Sequence, residues 1–206
     1  MDLSPTRFCT LLLTLCVVAA CSRQGDVPRS AAALSQAECL PGERGFLRAK
    51  FRGAIEAEAD WRGAELQCEG GARPDGSGVR VSFLGPADER GQRLRLVFGI
   101  GAKPGLGASR AVPTNVTIIV EGAKQLYATQ GADKCEVESV VQEPIIISKA
   151  AARSTLMREY RIAARGYCID PASSLDGKAR LYIDRFDFAG LARFNENELY
   201  AANPPR

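Results

Sequence analysis

The pattern that most constrains this chain is a strict two-residue alternation. Over residues 46–61, Leu47, Ala49, Phe51, Gly53, Ile55, Ala57, Ala59 and Trp61 share one parity, and Arg48, Lys50, Arg52, Glu56, Glu58 and Asp60 the other. Successive side chains of an extended strand point to opposite faces, so this period buries one face and wets the other. It predicts one long half-buried strand. A helix would need its apolar residues three and four apart.

The same pattern recurs along the chain. Residues 79–85 set Val79, Val81 and Phe83 on one side; residues 93–100 set Leu94, Leu96 and Phe98 against Arg93, Arg95 and Val97; residues 158–169 set Tyr160, Ile162, Ala164, Gly166 and Cys168 against Arg161 and Arg165. Between these runs stand dense turn signals, EGGARPDGSG at 69–78, PADERGQ at 86–92 and DPASSLDG at 170–177. Glycine, proline and aspartate cluster where the backbone must reverse. Further strands are expected at 64–68, returning from a turn that contains Trp61, and at 114–121, 126–130, 135–148 and 179–194. Residues 148–157 carry the one plausible helical turn, and the tail after Asn195 has no strand pattern and reads as loose. Eight to ten short strands with a turn every eight to twelve residues predict an all-β domain, an antiparallel sandwich or barrel-like fold with at most short helical turns.

Residues 1–20 do not belong to that pattern. Thirteen uncharged residues from Phe8 follow Arg7 and end in Ala19-Ala20, with Cys21 next. That apolar run is too short for a membrane-spanning helix, which needs roughly 20 residues, and has the length of an export-signal core. Val18-Ala19-Ala20-Cys21 resembles the lipobox of bacterial lipoproteins, in which a small residue precedes the cysteine that is acylated and becomes the new N-terminus. The resemblance covers residues 1–22 and implies lipidation of Cys21 after removal of residues 1–20. Ser22, rather than Asp, resembles the signal for transfer to the outer membrane, which implies a chain anchored in the periplasmic leaflet. One acyl chain holds only marginally, so several on one cysteine make attachment stable. Residues 21–38, small and polar, read as a flexible tether, and residues 39–206 as a single β-rich domain.

Seven cysteines then divide simply. Cys9 and Cys16 leave with the signal, Cys21 carries lipid, and Cys39, Cys68, Cys135 and Cys168 stay in the domain. An even number in an exported chain reads as two disulfides, with three possible pairings. Each near pair flanks one or two strands, which favours 39–68 and 135–168. A four-thiolate metal site is the weaker alternative, because no C-x-x-C pair is present and the compartment is oxidising.

Chemistry is constrained by an absence: the chain has no histidine. A Ser-His-Asp triad, a Cys-His pair and an H-E-x-x-H zinc site cannot be built from it. The glycine-rich stretch 101–113 lacks the Gly-Lys-Ser/Thr end of a phosphate loop, and no helix pattern follows, so it reads as a plain loop. No cofactor or metal site is expected. Arginine supplies 21 of the 27 cations. Arg48, Arg52, Arg93 and Arg95, with Lys50, Arg161 and Arg165, fall on outward strand positions, where they could meet phosphate or carboxylate groups or pair with acids of the same face. A net charge of +3, with no aromatics among the cations, argues against nucleic acid. Trp61 is a candidate stacking platform for a glycan or an anchor for a partner protein, or else a cap on the core.

Asp170, Asp176, Asp184 and Asp187 form the one carboxylate cluster, and paired carboxylates cleave glycosides. Asp184 and Asp187, three apart on a strand, are expected on opposite faces. Ser148-Lys149 is too close in sequence to act as a dyad on a strand. These readings lead to a non-enzymatic binding or assembly module of the cell envelope, anchored to the membrane, with an envelope protein or glycan as partner. The alternative is a carboxylate-dependent hydrolase or glycan-acting enzyme.

Overall fold

In the computed structural model, which describes residues 39–108, 110–131, 134–145 and 157–202, the alternating stretch is two strands and not one. β1 (Phe46–Gly53) and β2 (Ala57–Arg62) form a hairpin. Its register joins Leu47 to Trp61, Ala49 to Ala59 and Phe51 to Ala57. Every pair joins like parities, so inward residues stay inward across the reversal, and alternation alone cannot reveal the turn. Gly53 (φ 99°) makes the reversal possible, and the Glu56 carboxylate accepts the Gly53 N–H at 2.8 Å.

β3 (Gln67–Ala72), β4 (Val79–Ala87) and β5 (Arg93–Ile100) follow as a meander. The strand expected at 64–68 instead begins at Gln67 and runs on through Gly70 and Gly71, which the sequence placed in the turn. Glycine is required there because the backbone of another strand passes alongside: a Cβ on Gly70 would lie 2.7 Å from the Leu191 carbonyl. Trp61 lies on β2 rather than in a turn. β6 (Val112–Glu121), β7 (Gln125–Ala128), β8 (Cys135–Pro144), β9 (Met157–Cys168), β10 (Ala172–Ser174) and β11 (Arg180–Asn195) complete eleven strands among the described residues.

The tail after Asn195 is ordered as α1 (Glu196–Ala202), a correction to the loose end expected. Asn195 Oδ1 accepts the Glu198 N–H and Glu198 Oε2 accepts the Asn195 N–H, both at 2.8 Å. This reciprocal pair satisfies donors that a helix start leaves free. The apolar segment, Cys21, the tether, Ser148 and Lys149 lie outside the described residues, as does nearly all of the helical turn expected at 148–157.

All pairings are antiparallel, in the order β2-β1-β11-β10-β7-β6-β5-β4-β3, with β8 and β9 bridging β6 to β11 by a second route. The sheet therefore rolls up, as the barrel-like expectation held. Its inner face is an aromatic cluster: Phe83 on β4 and Phe98 on β5 meet Phe186 and Phe188 on β11, with ring centroids 4.5–6.1 Å apart. Phe83, Phe98 and Phe188 are fully buried.

Two disulfides hold the roll, Cys39–Cys68 and Cys135–Cys168, the near-neighbour pairing. Cys135 and Cys168 are directly opposite on β8 and β9. Cys39 precedes β1 and ties it to β3, while the Leu191 N–H of β11 approaches Cys68 Sγ at 3.2 Å.

Candidate binding cleft and the charged outer face

A rolled sheet has two ends, and here they are β2 and β3. The β3 end lies against the C-terminal half of β11. At the β2 end the roll meets β4 at one point, where a Cβ on Gly85 would sit 2.6 Å from the Trp61 ring. Below that contact a cleft of about 610 Å³ separates the β1–β2 hairpin from the tips of β4–β5 and β6–β7. Phe51, Ile55 and Trp61 line one wall, and Leu94, Val120 and Ala123 the other.

Local sequence explains why the cleft stays open. The inward positions of β2 carry Ala57 and Ala59, which are too small to reach the opposite wall. On β4 the register with β5 slips between Leu84 and Ala87, so Gly85-Pro86 bulges. A bulge bends its strand and re-aims the residues beyond it. Those small inward alanines, in a strand otherwise patterned for a core, are the signal by which Ile55, Leu94 and Val120 could have been found from sequence.

The rim is acidic, with Glu56, Glu58 and Asp88 against Arg90. Asp88 also shapes the β4–β5 tip, its Oδ1 accepting the N–H of Arg90 at 2.9 Å and of Gln92 at 2.8 Å. Arg93 braces the Trp61 contact from behind by donating Nε–H to the Gly85 carbonyl at 2.7 Å.

Of the residues singled out in the sequence, Trp61 and Arg93 thus converge on Gly85, whereas Arg48, Arg52 and Arg95 do not join them. Arg48 lies between Asp60 (3.4 Å) and Asp187 (3.8 Å) on the outer face. Arg52 grips Asp184 with Nε and Nη2, at 2.8 and 2.5 Å. Arg95 pairs with Glu121 at 2.7 Å and donates to Ser82 Oγ. Arg161 and Arg165 pair with Glu143 and Glu138. A shallow concavity of about 370 Å³ on this face balances Arg48, Lys50, Arg165 and Arg185 with four acids. Its charges cancel, which leaves little net field to gather an anion.

The expectation that Asp184 and Asp187 face opposite ways is overturned. Ala49 pairs with Phe186 but Phe51 with Ile183, so β11 carries one extra residue between them. That bulge returns both aspartates to the outer face, each to an arginine of β1. Asp170 pairs with Lys134 at 2.7 Å, and Asp176 accepts from Ser174 Oγ at 2.6 Å within a turn. Hydrogen bonding from Arg62, Ser174 and Arg52 lowers the Asp60, Asp176 and Asp184 pKa values below the usual carboxylate value, and hydrogen bonding from Ser77 lowers that of Asp75 to about 2. A general acid needs the opposite displacement.

Among the described residues no group of three or more potential ligands could hold a metal ion, and no helix is long and apolar enough to cross a membrane. The glycine-rich stretch is irregular over residues 101–107 and pinned by Gln142, which donates to the Lys103 and Leu106 carbonyls and accepts the Gly105 N–H. No family model matches this chain, and no curated protein or solved structure is similar to it.

Proposed function

We propose that this chain is a lipid-anchored module of the bacterial cell envelope that binds a partner through the cleft beside Trp61. The cleft itself carries the reading. About 610 Å³, lined by apolar side chains together with Glu56, Glu58, Asp88, Arg90, Gln92 and Gln125, lies in the size range of ligand sites. Ile55, Leu94 and Trp61 are only partly buried, so an occupant removes their remaining apolar surface from water. The lipobox-like residues 18–21 and the polar tether support an address at the periplasmic leaflet of the outer membrane, with the membrane engaged through lipid on Cys21 and an envelope protein or glycan as partner. The hydrolase reading has no comparable support, because Asp184 and Asp187 are committed to arginines of the outer face and Asp170 and Asp176 to Lys134 and a turn.

A photo-crosslinking residue at Ala87, exposed on the rim of the cleft, tests the binding surface in intact cells. It is expected to trap a discrete species that disappears when Trp61→Ala is added. Equal trapping from Arg193 on β11, or no effect of Trp61→Ala, overturns the proposal. For the anchor, Cys21→Ala is expected to release the chain from the membrane fraction. Continued sedimentation with membrane rejects lipidation at Cys21.

A further inference from the structure

We infer that the cleft takes an extended peptide, added as a strand to the free edge of β2, with apolar side chains at alternate positions and a cationic residue near Glu58. The inference rests on the cleft being the binding surface and specifies how it binds. Alternate residues of an edge strand aim their N–H and C=O away from the sheet, and an added strand pairs with them. β2 pairs only with β1, and among the described residues no backbone group bonds to its other edge.

The two ends of the sheet differ in what covers them. β3 is overlaid by β11, so closely that Gly70 has no room for a Cβ and one on Gly71 would be tight against the Arg193 carbonyl. β2 touches β4 through Trp61, and its Ala57 and Ala59 line the cleft. β4 borders the same cleft but gives an added strand no N–H at Pro86 and no open carbonyl at Gly85, which accepts from Arg93. Its pairing with β3 ends at Leu84, yet the strand continues to Ala87 with β5 on one side only. The unpaired edge of β2 thus bounds one side of the cleft.

Charge selects among peptides. Three acids, Glu56, Glu58 and Asp88, stand on the rim against Arg90 and, opposite Glu58 in the β1–β2 register, Lys50, an excess of one negative charge that favours a cationic occupant. Glu56 and Asp88 are held by backbone N–H groups of their own turns, while Glu58 is exposed on β2. Glu58 is therefore the acid best placed to meet the occupant.

The test uses the full chain in phosphatidylcholine vesicles, whose neutral headgroups do not gather a cationic peptide. Trp61, the one tryptophan, reports on the cleft by its emission. Three probes are titrated: an acetylated peptide of alternating valine and lysine, the same peptide N-methylated at alternate residues so that one edge cannot pair, and decanol. The unmodified peptide is expected to shift Trp61 emission saturably, and the N-methylated one to bind at least about tenfold more weakly. Glu58→Lys, at an exposed site, is expected to weaken the lysine peptide severalfold with an unchanged far-ultraviolet spectrum. Equal binding of the two peptides overturns strand addition. Saturation by decanol with no peptide binding also overturns it and leaves the cleft reading standing. Silence from all three probes removes both.

Discussion

At Gly190 a single methyl group decides whether β11 can lie where it does. A Cβ there would come within 2.7 Å of the Phe83 ring and 2.9 Å of Val81. Both are fully buried, so neither can move aside. Gly190→Ala is expected to lower stability by roughly 1–3 kcal/mol, read as a lower urea midpoint with unchanged slope. Asp75 acts through its charge. It accepts the Ser77 N–H and Oγ–H at 3.0 and 2.7 Å and meets Arg73 at 3.0 Å, which together depress its pKa from 3.8 to about 2. A depressed pKa means that the folded state releases this proton more readily than the unfolded chain. Its contribution is complete above about pH 4 and is lost as pH falls toward 2. Urea titrations between pH 5 and pH 2 are expected to show stability falling over that window, less steeply in Asp75→Asn.

Elements here depend on single-residue counts. The β1–β2 hairpin was invisible to alternation because its register conserves parity, whereas the β11 bulge switches the inward parity for the rest of the strand, from Leu181 and Ile183 to Phe186 and Phe188. Period two reports which face a residue takes. It does not report where the chain reverses, and a residue inserted in a strand shows only as a change of parity between apolar residues. The helix α1 was legible in principle, since Asn195 and Glu198 have the spacing of a reciprocal cap. Asn195→Ala is expected to cost about 1 kcal/mol and to reduce helical signal at the C-terminus, measured by amide exchange over residues 196–202. Cys135–Cys168 ties two strands that are already paired along most of their length. Replacing both cysteines with alanine is expected to keep the native far-ultraviolet spectrum. Stability falls by roughly 3–4 kcal/mol for a loop of 33 positions.

At the scale of the molecule, Cys39–Cys68 does something different, because it joins parts of the sheet that do not pair. It holds the β3 end beside β1 and β11, and so keeps the roll shut above the cleft. Cys39→Ala with Cys68→Ala is expected to lose a similar roughly 3–4 kcal/mol and also to move Trp61 emission to the red as the Gly85 contact loosens. The Cys135, Cys168 pair of substitutions leaves that emission unchanged. Comparing the two spectra separates loop restraint from closure of the roll. The β class and both bridges were legible beforehand, and of the cleft only Trp61 was. Leu94 and Val120 read as ordinary inward residues, and the sign of a cleft beside them lies on another strand, in the small inward Ala57 and Ala59.

The sequence by itself set most strand faces and the absence of imidazole chemistry, favoured the near-neighbour pairing of the cysteines, and carries the lipobox-like residues that end at Cys21. Each of these is set by residues close together in the chain. Tertiary structure alone decided that the sheet rolls until β2 meets β4, that Arg48 and Arg52 are committed to Asp60, Asp187 and Asp184, and that small side chains at Ala57 and Ala59 leave a cleft. Those outcomes depend on which strands become neighbours, and the same alternating pattern is satisfied by many such arrangements. Register, bulges and the closing disulfide select one of them.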